Sequence, residues 1–93
     1  MLDITDLRMA VRRTGETYDG ELLALAEAAM TDMEARGIAR QEADALYDHA
    51  VRMYVKGNFD ASAPEAEACR GIYDGLRRTM GLSSKYREAD AHA

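Results

Sequence analysis

Apolar positions along the chain recur every three or four residues and do not alternate, which is the period of helix faces rather than of strands. Helix stop and start signals divide the chain into four such stretches, so the expected fold is all-α, a small bundle of about four helices. Thr5 is placed to cap a short first helix, with Ile4 before it and Leu7 and Val11 on one face, and Gly15 stops it after Arg12, Arg13 and Thr14. Asp19 is placed to cap the second, whose Leu22, Leu25, Ala26, Ala29, Met30 and Met33 share a face. Gly37 closes that helix and Ile38 supplies the apolar contact that usually follows such a glycine. The third runs from about Arg40 to Lys56 on the cleanest stripe of the chain, Ala43, Leu46, Tyr47, Ala50, Val51 and Tyr54, and Gly57 ends it. Ser62, Pro64 and Glu65 read as a capping box opening a fourth helix, whose face is Cys69, Ile72, Tyr73, Leu76 and Met80.

From these faces the expected core is Leu22, Leu25, Leu46, Tyr47, Val51, Tyr54, Ile72, Tyr73 and Leu76, with Phe59 folding back over the end of the third helix. Gly71 and Gly75 each cost roughly 1 kcal/mol of helix propensity relative to alanine. Four residues apart on one face, they imply close approach by another backbone, inside the fold or across a subunit contact. Beyond Gly81 the chain turns polar and alanine-rich, so residues 1–81 are expected to form the helical domain and residues 82–93 a mobile tail.

Composition changes this picture in one respect. The 93 residues are 47% hydrophobic, but 17 of them are alanine, so the core is thin and stability in isolation marginal. Partner contacts would add to it. The net charge of −5 makes the chain as a whole repellent to a phosphate backbone, although local basic patches remain. Its single cysteine, Cys69, has no internal partner for a disulfide and fits a reducing compartment. No basic-then-apolar leader opens the chain and no apolar run approaches the roughly 20 residues of a membrane span. A soluble protein without membrane contact is therefore expected.

Candidate chemistry is sparse. An enzyme needs a nucleophile, a base and a charge-stabilising group held together, and His49 beside the third helix's stripe stands without such a constellation. Cys69 on a helix face reads as a small apolar group, and no metal-ligand or phosphate-cradling spacing occurs, so neither catalytic residue nor cofactor is expected. Charge is more informative. The second helix carries Glu27, Asp32 and Glu34 among its acids, a solvated face or one that meets a basic partner or lines a channel through which DNA slides. Basic residues gather on the first helix, at Arg8, Arg12 and Arg13, and around the C-terminus. Such segregation suits side-by-side association of identical subunits, acidic patch against basic patch.

Several segments carry a resemblance beyond periodicity. Tyr18-Asp19-Gly20-Glu21-Leu22 with Ala28-Ala29, the stretch Ala50-Val51-Arg52-Met53-Tyr54-Val55-Lys56-Gly57-Asn58-Phe59, then Tyr73-Asp74-Gly75-Leu76 and Leu82-Ser83-Ser84-Lys85-Tyr86, occur in that order over nearly the whole chain. Together they resemble the head–tail connector family of tailed bacteriophages. The chain departs from that family's pattern at Asp60, where glycine often follows the phenylalanine, and at Gly57, where alanine is common. What the resemblance implies is a non-enzymatic helical subunit, made in the bacterial host cytoplasm and placed at the head–tail interface of a virion. Its partners would be copies of itself in a ring, the portal protein and a tail or stopper protein, with DNA passing through the channel without specific binding. On this reading Arg8, Arg12 and Arg13 face Glu27, Asp32 and Glu34 of the next subunit, and Leu82, Lys85, Tyr86 and Arg87 contact the portal.

A helix-turn-helix regulator is the alternative, with its turn around Gly37, but the third helix would then present Glu42, Asp44 and Asp48 where base and phosphate contacts need Arg, Lys, Asn or Gln. The acidic second helix is therefore expected not to bind DNA. Duplex titration at low salt should show no tight complex, and a steep salt slope in bound fraction would contradict this.

Overall fold

The computed structural model describes residues 2–87. Among them are four α-helices, α1 (Ile4–Ala10), α2 (Asp19–Ala35), α3 (Ala45–Phe59) and α4 (Ala66–Gly81), followed by a 3-10 turn at Ser84–Tyr86. The all-α bundle expected from periodicity is present. Several boundaries differ, and each difference has a local cause.

α1 is capped by Asp3, not Thr5. The Asp3 side chain accepts the Asp6 N–H at 2.9 Å and the Asp6 carboxylate accepts the Asp3 N–H at 3.1 Å, a capping box with an acid at each corner. The helix also stops before Gly15. Arg12 takes φ 58°, its N–H reaches the Met9 carbonyl, and the Arg13 N–H returns to Arg8 at 2.9 Å. That is the two-bond closure normally given to glycine, here strained by an arginine Cβ. α2 closes as expected: Gly37 at φ 83° donates to Glu34, and Ile38 donates to Met33 and is fully buried. Its start differs, since Asp19 is the first helical residue and makes no cap.

α3 begins five residues later than the stripe implied. Asp44, extended and accepting the Tyr47 N–H at 2.9 Å, is its cap, which leaves Arg40 and Ala43 in the connection. α3 also continues through Gly57 to Phe59. α4 lacks the expected capping box, because Ser62 donates its hydroxyl and its N–H to Asp60 in a turn that precedes the helix.

α3 packs against each of the other helices and is the centre of the bundle. Its stripe Tyr47, Ala50 and Val51 is buried, and burial extends past it on one flank to Val55 and on the other to Met53 and Gly57. One apolar stripe could not announce both flanks, since one of them includes a glycine. At Gly57 an added Cβ would lie 2.6 Å from Arg70 Cγ, 3.1 Å from the Arg70 nitrogen and 3.2 Å from the Ala66 carbonyl oxygen. Inside the fold the close helix approach occurs at Gly57 and not at Gly71 or Gly75, where an added Cβ meets nothing within the chain, so of the two readings of that pair the one inside the fold is set aside.

The core comprises Leu7, Leu22, Ala26, Ala29, Met33, Ile38, Tyr47, Ala50, Val51, Met53, Val55, Cys69, Tyr73, Met80 and Tyr86. Of the expected core, Leu25, Leu46, Tyr54, Phe59 and Leu76 are half-buried against it. Ile72 is a correction, 45% exposed on the outer side of α4. Phe59 meets Tyr18 edge-on at 5.2 Å, and Tyr54 meets Tyr73 at 5.0 Å, so two aromatic pairs pin the end of α3 to the start of α2 and to α4.

These contacts separate the glycines by consequence. Gly57→Ala should lower stability by roughly 1–3 kcal/mol through overpacking. Gly71→Ala and Gly75→Ala should each raise it by roughly 0.5–1 kcal/mol, since a Cβ there meets nothing and helix propensity improves. Urea melts of the three variants test both signs.

Candidate functional site

The acidic face of α2 is tied into the fold. Arg40, in the connection after α2, donates to both oxygens of Glu27 at 2.7 and 3.1 Å and to Glu34 at 2.9 Å. That two-pronged grip holds the Glu27 carboxyl below its ordinary value. Asp32 accepts the Tyr73 hydroxyl at 2.6 Å and faces Arg77 at 3.4 Å and Arg36 at 3.5 Å. Burial pulls its carboxyl upward, but the Tyr73 bond and the two arginines outweigh that and leave it lowered. The same arrangement raises the Tyr73 phenol, first by burial and then by the adjacent carboxylate. Glu27, Asp32 and Glu34, expected at a subunit seam, thus have intramolecular partners.

The basic cluster is divided. Arg8 is paired with Asp19 through Nε at 2.8 Å and through a second nitrogen, joining α1 to α2 and lowering the Asp19 carboxyl chiefly through that hydrogen bond. Arg13 lies over the Tyr18 and Phe59 rings at 5.4 and 5.7 Å, and Arg12 is exposed at the strained turn. Of the three, Arg12 and Arg13 are exposed to a partner, and Arg8 holds the helices together.

The segment after Gly81 is the largest correction. Tyr86 is 6% exposed, its carbonyl accepts the Ala39 N–H at 2.7 Å, and Ile38 and Arg87 form an antiparallel bridge. The Tyr86 hydroxyl donates to Asp44 at 3.0 Å, and Lys85 reaches the same carboxylate at 3.0 Å. Residues 82–87 are thus docked on the α2–α3 connection, and the expected tail is not a tail over this stretch. The remainder, 88–93, lies outside the described residues, His92 included. Of the four portal-contact candidates, Tyr86 is committed to the core, while Leu82, Lys85 and Arg87 are exposed.

His49 is exposed on α3 and Cys69 is buried in the core, so the structure does not bring the thiol and the imidazole to one site. Among the described residues no group of three or more His, Cys, Asp or Glu is placed to hold a metal ion, and no helix is long and apolar enough to cross a membrane. An apolar cleft between α1, α2 and α3 is lined by Leu2, Leu7, Leu23, Ala26, Met30 and Val51 together with Glu27, Tyr47 and Asp48. Sequence reasoning missed this cleft and the roles of Arg40 and Asp44. A signal for Asp44 was present: an aspartate three residues before Tyr47 on the first buried turn is a cap pattern. Arg40 left none, because its partners lie thirteen and six residues back across a turn.

Comparison with protein-family models, with curated proteins and with solved structures finds no match to this chain.

Asp44 is the hinge of the C-terminal contact. The Tyr47 N–H, with Lys85 and Tyr86, holds its carboxyl below the ordinary value. A depressed folded pKa stabilises above the unfolded value near 3.9 and loses that contribution as pH falls through the folded one. Asp44→Asn, which keeps a cap, should therefore flatten part of the acid-side loss seen in urea melts between roughly pH 2 and 6. Tyr86→Ala should cost about 3 kcal/mol at neutral pH. A chain ending at Gly81 should melt lower for the same reason, and an unchanged midpoint would mean that residues 82–87 add nothing to the fold.

Proposed function

We propose that this chain is a structural head–tail connector of a tailed phage or prophage, forming a ring of identical copies beneath a portal, extending the DNA channel and offering a platform to a tail or stopper protein. The observation that carries this reading is that the segments bearing the resemblance pair with one another in the fold. Tyr18 of the first segment packs edge-on against Phe59 of the second and Tyr54 of the second edge-on against Tyr73 of the third, while Tyr86 of the last closes on Asp44, which lies between segments before α3. Segments that carry the resemblance in order and also pack on one another support it better than the same residues taken singly.

The surface supports association as well. Met9, Leu23, Ile72 and Leu82 are exposed at 71, 53, 45 and 85%, on α1, on α2, on α4 and just past it, and are open to a contact between copies. The helix-turn-helix alternative fares worse. The connection from Arg36 to Asp44 exceeds the roughly 3–4-residue turn of that motif, and the first turns of α3 carry Asp44 and Asp48 and bury Tyr47.

Negative-stain electron microscopy of the purified chain with the portal protein encoded nearest its gene should show rings stacked on the portal. Host cells lacking the gene should accumulate heads without tails. Normal infectious particles from such cells would overturn the proposal, and sequence-specific duplex binding would favour the regulator.

A further inference from the structure

Cations and carboxylates are matched over most of the fold and unmatched along one line. Arg8, Arg36, Arg40, Arg77 and Lys85 each hold an acid of this chain. Arg12, Arg52 and Lys56 form no ion pair and no side-chain hydrogen bond among the described residues. Arg52 and Lys56 are four residues apart on α3 and follow His49 by one turn, so the three share the side of the helix turned away from Tyr47, Ala50 and Val51. Their stems are half-buried along the helix surface, a placement that keeps the charged ends in water.

The line continues past the helix end. Lys56 borders a small cavity of about 120 Å³ together with Arg12 and Arg13, from the turn after α1. Arg13 is held over the Tyr18 and Phe59 rings, and Arg12 takes a φ of 58° that glycine would adopt without strain. Asp60 and Glu65 border the same cavity, and Asp60 is turned to the Ser62 hydroxyl and N–H at 2.6 and 3.1 Å. Four permanent cations thus stand against two acids, on a chain whose net charge is −5.

We propose that the outer face of α3, with the turn after α1, docks a short carboxylate-rich helix of a partner protein. Arg52 and Lys56 pair with acids on successive turns of that helix, and Arg12 and Arg13 with acids at its end. Cations that recur once per helical turn match carboxylates that recur once per turn on another helix, as charged positions do along paired helices. A duplex or an anionic membrane spreads its charge far beyond this line and would also meet the repulsion of the chain's net −5. A short helix touches the line alone. The site stands apart from the connector reading and needs no ring.

Fluorescence anisotropy of the full chain tests it with a dye-labelled helical peptide of about 14 residues that carries Glu at every third or fourth position and no basic residue. The peptide should bind with a dissociation constant on the order of 0.1 mM at about 20 mM salt, and more weakly as salt screens the pairs. Arg52→Glu and Lys56→Glu, with helicity matched to the parent by circular dichroism, should each weaken binding at least roughly tenfold, because each sets like charges face to face. Arg12→Gly should weaken it severalfold while the urea midpoint stays level or rises, since glycine relaxes that turn. No binding at about 1 mM peptide overturns the proposal. Equal binding by both charge-reversal variants overturns it too. Tighter capture of duplex DNA or of phosphatidylserine vesicles than of the peptide would reassign the line to phosphate. Loss of peptide binding leaves the connector reading in place, because rings on the portal are scored separately by microscopy.

Discussion

At Gly57 an added Cβ would run into the Arg70 stem at 2.6 Å and crowd the α4 backbone at 3.1 and 3.2 Å, and the rest of the bundle is arranged around that close approach of α3 and α4. The carbonyl of Gly57 lies in the last turn of α3, where no intrahelical donor remains, and Arg70 of α4 donates to it at 2.7 Å. The glycine thus admits the neighbour, and the neighbour's arginine satisfies the helix end. With α4 held there, Tyr73 reaches both Tyr54 across the interface and Asp32 on α2. α3 is thereby enclosed on two sides, and the thin supply of large apolar residues suffices because alanine and glycine let backbones approach.

The charged residues serve the same economy of space. Exposed ion pairs contribute little individually, and those along α2 are no exception. Their placement matters more than their strength. Arg8 ties α1 to α2, Arg40 folds the connection after α2 back onto that helix, and Arg77 reaches from α4 to Asp32. An acidic stripe that looks uncommitted in the sequence is in this way divided among three neighbouring elements. What stays uncommitted on the surface includes the apolar side chains that the small core leaves outside.

How much of this was legible follows from the kind of signal each feature leaves. Gly37 followed by Ile38 was readable, since the closure of a helix is written in adjacent residues. The stripe Tyr47, Ala50 and Val51 was readable as a buried face. Gly57 was not, because a glycine that ends a helix and one that admits a neighbour are the same letter, and only the partner helix distinguishes them. Gly71 and Gly75 show the converse: their spacing suggested close packing inside the fold or between subunits, and inside the fold they meet nothing. Tyr86 sits in a polar stretch whose neighbours suggest a tail, and its burial depends on Asp44, more than forty residues away. On the candidate interaction surface, Arg12, Arg13, Leu82, Lys85 and Arg87 are exposed, while Arg8, Glu27, Asp32 and Glu34 are paired within the chain by partners that periodicity cannot assign.

The docking of residues 82–87 also explains why an apolar residue can stand in the open at Leu82. A leucine at a fraying helix end would be free to fold back onto its own core. Here the Leu82 N–H is held by Arg78 and Thr79, the following turn is pinned by Tyr86 in the core, and the Ile38–Arg87 bridge fixes the direction of exit. The side chain is thus presented outward by backbone held on both sides. Backbone ordered in this way would lower the entropy lost if a partner covered Leu82. The contact between Tyr86 and Asp44 is consequently a structural element of the fold and, through Leu82, a determinant of its outer surface.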